Sequence, residues 1–291
     1  MKRLHTTILS TAAALAGLAM SSGAMAQATW NLYSGSGNGC SQNATNSGNY
    51  GNSWNCTGSS SATATVSAWS ADRGTSGQAD FLAAPSTGSY YANAYLSPQG
   101  NAGFGAASRS EGTGATAPNH AFDSISPGTQ DLMLLDFGSA NVILNSIGIG
   151  WSGTDSDITL LRWTGSAAPS KASGNLIATG WALVDSYSNL VADDIPRAAT
   201  TAMNTGATQA SSWWLISTFN SALNGGESCK TSTGTTAHCD ITNDAFKLNF
   251  ISATVVPSTP PGKVPEPGSL ALAGIALAGL FGVRRVAAKR A

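Results

Sequence analysis

The chain of 291 residues has little charge and little histidine: 10% of its residues are Asp, Glu, Lys or Arg, and three are His. So few cations, at a formal net charge of −1, exclude the basic stripe of a nucleic-acid binder. The near-neutral sum hides an uneven layout. Lys2 and Arg3 open the chain, Arg284, Arg285, Lys289 and Arg290 close it, and Glu266 is the one acid outside residues 27–263. That interval therefore holds fourteen acids against eight bases, a formal charge of −6. It contains no His-Glu-x-x-His and no Gly-x-Ser-x-Gly, and its two histidines are His120 and His238. A Ser/His/Asp set could be built on His120 with Asp123 or Asp136, but nothing marks a nucleophile, so no catalytic activity is expected.

What is present begins at the two ends. A positive start, the apolar run Ile8 to Met20, and small residues at Ala24 and Ala26 have the three parts of a secretory signal, cleaved before Gln27. The partners this implies are the general secretory translocon and signal peptidase. At the other end, Pro265, Glu266 and Pro267 precede residues 268–283, which carry no charge, and then the basic cluster Arg284, Arg285, Lys289 and Arg290. Sixteen residues make a helix of roughly 24 Å, short for a membrane core but workable with snorkelling flanks. The basic cluster would stay cytoplasmic as a stop and leave everything before Pro265 outside.

This tail resembles the PEP-CTERM sorting signal, in which a Pro-Glu-Pro motif, a short transmembrane helix and a basic end are read by an exosortase. The resemblance implies that Pro265, Glu266 and Pro267 are the recognition motif and that the chain is cut nearby. It implies an inner-membrane precursor in a Gram-negative bacterium that makes extracellular polysaccharide, with the product at the cell surface or in the matrix. A second stretch, Pro118 to Asp123 with Asp131 to Phe137 and Ile147 to Ile158, is similar to the core of exosortase-dependent surface proteins. Its most specific part is Gly150-Trp151-Ser152-Gly153-Thr154-Asp155-Ser156-Asp157. It implies a surface protein without assigned catalysis and supplies no active-site residues.

Between the ends, residues 34–61 include 20 Gly, Ser or Asn among 28, so the part from 27 to 117 reads as loop-rich. From 118 to 256 a period-2 pattern predicts strands at 132–137, 141–144, 146–151, 158–163, 176–184, 213–219 and 246–250. Many short strands without helical patterns predict an all-β fold, an antiparallel β-sandwich or jelly roll spanning 27–256. The layout is thus a signal helix at 1–26, an exported domain at 27–256, a Pro-rich spacer at 257–263 and a sorting segment at 264–291. Its four cysteines permit three pairings, and export favours the two local ones, Cys40 with Cys56 and Cys229 with Cys239. A zinc site on Cys229, His238 and Cys239 is the weaker alternative, since adjacent residues share one tetrahedron poorly.

Three further motifs bear on ligands. Gly148-Ile149-Gly150-Trp151-Ser152-Gly153 matches the dinucleotide pattern, but a turn and a strand follow it where a phosphate-binding helix is required. Asp155 and Asp157 make an oxygen-rich turn that could hold a structural calcium ion, although Asp and Ser bonding local backbone is the favoured reading; adjacent Asp193 and Asp194 are weaker still. Trp30, Tyr33, Tyr50, Trp54, Trp69, Tyr90, Tyr91 and Tyr95 lie among polar residues. If exposed they would stack on sugar rings, with Trp54 and Trp69 the residues to test, but core packing is favoured for them. The expected function is an exported, exosortase-processed surface or matrix protein. Carbohydrate binding is the alternative, and an anchored hydrolase is a more distant one.

Overall fold

The structure is a computed structural model that describes residues 25–33, 39–44, 49–72, 91–109, 111–112, 120–124, 129–153, 155–169, 176–190, 200–202, 208–240, 243–257 and 275. The protein is mostly β, built from two sheets whose strands are almost all antiparallel. The first sheet is organised on two long strands, β10 (Asn141–Ser152) and β17 (Ala245–Val256). The other edge of β17 is shared end to end by β1 (Ala26–Asn31), β7 (Phe104–Ala107) and β8 (Phe122–Asp123), with β6 (Tyr95–Pro98) beyond β7. The second sheet has at its centre β11 (Ile158–Trp163), β14 (Trp213–Thr218), β9 (Thr129–Asp136) and β4 (Thr63–Asp72). Outside these lie β12 (Trp181–Tyr187), β15 (Ser228–Lys230) and β16 (Thr236–His238) on one side, and β3 (Ser53–Thr57) and β2 (Cys40–Gln42) on the other; β5 (Ala92–Asn93) pairs with β4, and β13 (Thr200–Ala202) with β10 in the first sheet.

The chain pattern explains the strands. In β10 the residues that reach the core change from even to odd, Val142 and Leu144 and then Ile147 and Ile149. The pairing with β17 slips between Leu144 and Ser146, and one extra residue at a bulge reverses the facing of all that follow. This is why one twelve-residue strand reads in the sequence as two. The two sheets face each other across one core that draws Trp30, Phe104, Leu144 and Ile251 from the first and Trp54, Val66, Met133 and Trp214 from the second. Each fully buried large apolar side chain contributes roughly 1.5–3 kcal/mol.

The central strands of the second sheet are apolar on both faces. Met133, Leu135, Trp214 and Ile216 enter the shared core, while their neighbours Leu132 and Leu215 join Trp69, Leu161, Trp163 and Trp181 in a second cluster on the outer face. The unbroken runs Leu132 to Leu135 and Trp213 to Ile216 answer to this two-sided burial. One turn of helix, α1 (Leu176–Thr179), contributes Leu176 to that outer cluster.

Two sequence expectations are corrected here. Residues 176–184 are not one strand: Thr179 Oγ1 and the Gly180 amide donate to the carbonyls of Leu176 and Ile177. Gly180, at φ +112°, then turns the chain into β12. The stretch 27–117 is not merely loop; it supplies strands to both sheets, because Trp30, Trp54, Val66, Leu96 and Phe104 are enough apolar material to fix short strands amid Gly, Ser and Asn. Close packing there depends on Gly105, where a Cβ would stand 1.6 Å from the His120 carbonyl oxygen.

Candidate functional site

The two ends of the β domain meet at one pole. Ala26 and Gln27, at the expected signal cleavage, face Val255 and Thr254 across the β1–β17 ladder, and Asn141 faces Val256. Ala24, Pro265, Glu266, Pro267, Arg284, Arg285, Lys289 and Arg290 lie outside the described residues, as does the expected span 268–283 apart from Ile275. Among the described residues no helix is long and apolar enough to cross a membrane.

At the opposite end of β17 the Asp155–Asp157 turn acquires a third carboxylate that no local pattern announced. Asp244, 87 residues after Asp157, is carried in where the chain enters β17, and the three groups have oxygens within 4.8 Å of one another. Asp244 Oδ1 accepts from the Asp157 amide (2.8 Å), and its Oδ2 accepts from the Phe219 amide (3.2 Å) and Ser124 Oγ (3.3 Å). Asp157 accepts from the amides of Asn189 (2.7 Å) and Asp240 (3.0 Å). Burial pushes Asp157 up to about 7 and Asp244 well above the carboxylate range, and neighbouring carboxylates add to both. These backbone bonds are the turn-making role expected of Asp, now serving four separate segments. Such a set either shares protons or holds one hard cation.

The other candidates separate. Cys40–Cys56 and Cys229–Cys239 are disulfides, and His238 Nε2 lies 2.8 Å from Glu227 Oε2, so the zinc alternative at Cys229, His238 and Cys239 is not assembled. His120 Nδ1 is 2.7 Å from Ser97 Oγ, which also accepts from Gln99 Nε2 at 2.8 Å. Both His120 and Ser97 are buried, and Asp136 Oδ1 accepts instead from the Gly138 amide in the β9–β10 turn. Trp30, Tyr33, Trp54, Trp69 and Tyr91 are buried, which removes Trp54 and Trp69 as sugar platforms and makes them core; Tyr50 and Tyr95 are half-buried, and Tyr90 lies outside the described residues.

Comparison with known proteins bears on the tail. The family model of the PEP-CTERM protein-sorting motif matches residues 263–286, so the chain carries that motif. It is accordingly an exosortase-targeted surface protein, secreted by way of the membrane. No curated protein and no solved structure matches the chain.

Proposed function

We propose that this protein is a structural component of the cell surface or extracellular polysaccharide matrix of a Gram-negative bacterium, with no catalytic activity of its own. The signal peptide is removed before Gln27, the sorting helix holds the precursor in the inner membrane, and the exosortase releases the β-sandwich near Pro265. The observation that carries this reading is the sorting motif at 263–286, which starts seven residues after β17 ends at Val256. Residues 257–263, with Pro260 and Pro261, then act as a stiff spacer between domain and membrane. The reading includes a structural calcium ion held by the Asp155–Asp157 turn together with Asp244.

The test is intact mass and location of the protein in cells with and without the exosortase, and of Glu266→Ala in cells that have it. A mature species beginning at Gln27 and ending near Pro265, outside the cell only when enzyme and Glu266 are both present, is expected. An uncut chain in the inner membrane of every strain would overturn the proposal.

A further inference from the structure

The start of β1 and the end of β17 form one ladder, and its hydrogen bonds have a fixed parity. Leu32 N donates to Asn249 O (2.7 Å), on the rung next to Asn31 and Phe250. In an antiparallel pair bonded and non-bonded rungs alternate, so the even-numbered residues of β1 turn their N–H and C=O toward β17 and the odd-numbered ones turn theirs away. Thr29 agrees, since its N–H donates to Ser59 Oγ (3.1 Å) and its C=O accepts from the Ser59 amide (2.9 Å), both on the far edge of β1. So does β10, where Val142, opposite Val255, exchanges its backbone bonds with Ser211 (2.9 and 3.0 Å) and leaves the Val255 backbone to β1.

Ala26 is even and faces Val255, so its carbonyl is held in the ladder by the Val255 amide. That carbonyl is the one a peptidase must reach to cut before Gln27. Hydrolysis adds water across the Ala26–Gln27 peptide bond: the carbonyl carbon is attacked, the C–N bond breaks, and a carboxylate is left on Ala26 and an amine on Gln27. The carbonyl oxygen becomes an oxyanion on the way and has to be met by donors of the enzyme. In the folded chain it points at β17 instead. A peptidase that takes its substrate as an added strand also needs the flanking main chain free of other partners. Lifting β1 away is opposed nearby, because Ala28 and Trp30 are fully buried, the Trp30 ring is 5.1 Å from that of Phe137, and its Nε1 donates to Ala62 O (2.9 Å). Ala26 and Gln27 are exposed, so folding withdraws their main chain and not their side chains.

We propose that pairing of β17 with β1 closes the signal-cleavage site, so that signal peptidase acts on this chain only before the ladder forms. A chain that closes its first sheet too early keeps its N-terminal segment. The inference rests on the reading that cleavage falls before Gln27.

The test uses the full-length precursor in detergent, purified signal peptidase and mass spectrometry of the products. Folded precursor is compared with the same precursor unfolded in urea, and a synthetic peptide of residues 20–33, added to each, gives the activity of the enzyme in that buffer. A folded chain is cut through its transiently opened state. Cleavage of Ala26–Gln27 at least tenfold slower in the folded chain, relative to the peptide, is expected. In a variant with Gly-Ser-Gly-Ser inserted after Gln27 the bond is lifted off the ladder while the domain is untouched, and the folded variant should be cut within threefold of the unfolded chain. Rates within twofold for folded and unfolded wild type, or a folded insertion variant as resistant as the wild type, would overturn the proposal. Cutting of the unfolded chain and the peptide at another bond would overturn the cleavage reading itself, so the two failures are distinguishable.

Discussion

Asp131 lies in the middle of the second sheet, fully buried beside its ladder partner Ser70. Burial, then the charges of Asp123 and Glu111, hold its pKa well above the ordinary 3.8. The folded protein therefore keeps a proton on Asp131 at pH values where the unfolded chain has lost it. With the folded-state value raised, stability is greatest below the unfolded pKa and falls as pH rises toward the folded one. One such proton makes the slope about −1.4 kcal/mol per pH unit throughout that window. Asp131→Asn removes the titrating group and leaves a neutral amide of nearly the same shape. Urea unfolding of the mature protein at pH 5, 6, 7 and 8 should give a wild-type stability that declines with pH. The variant's profile should be shallower by up to about 1.4 kcal/mol per unit, and the variant should be the more stable at pH 8. Parallel profiles for the two proteins, or a wild-type stability that rises from pH 5 to 8, would refute the reasoning.

Other expectations follow from the same geometry. Replacing Cys229 and Cys239 by Ser opens a loop of sequence separation 10 and should cost about 3 kcal/mol in denaturant unfolding; the pair Cys40 and Cys56, at separation 16, should cost about the same. Gly105→Ala forces a methyl against the His120 carbonyl and should lower stability by about 3 kcal/mol, read as a fall in thermal midpoint. Millimolar calcium should stabilise the wild type at pH 8, by about 2.7 kcal/mol at a hundred times its dissociation constant, read as a higher thermal midpoint, and should not do so in Asp244→Asn.

The parts of the fold written in local pattern were legible in the chain. β11 lies at the predicted residues 158–163, and β9 and β14 lie within a few residues of their predicted ranges, because Leu, Ile and Trp runs bounded by turn residues determine strands locally. Where a bulge reset the alternation, β10 read as two strands, and where Gly180 broke the chain a helical turn was missed. The short strands among Gly, Ser and Asn were hidden because single residues such as Trp30 and Trp54 hold them through contacts distant in sequence. The same distance hid Asp244 from the Asp155–Asp157 turn. The sorting motif needed no fold to be seen, being a linear signal.

The position of β17 has a consequence for how the protein is made. It is the last strand in the chain, yet it pairs with β10, β1, β7 and β8, and its partnership with β1 spans more than 220 residues of sequence, as Gln27 to Thr254. In a chain synthesised from its N-terminus, the early strands must wait for residues 245–256 before the first sheet has its spine. When β17 arrives, the sorting motif is only seven residues behind it. Completion of the sheet and presentation of the tail are therefore nearly simultaneous, and a chain truncated before Ala245 lacks both.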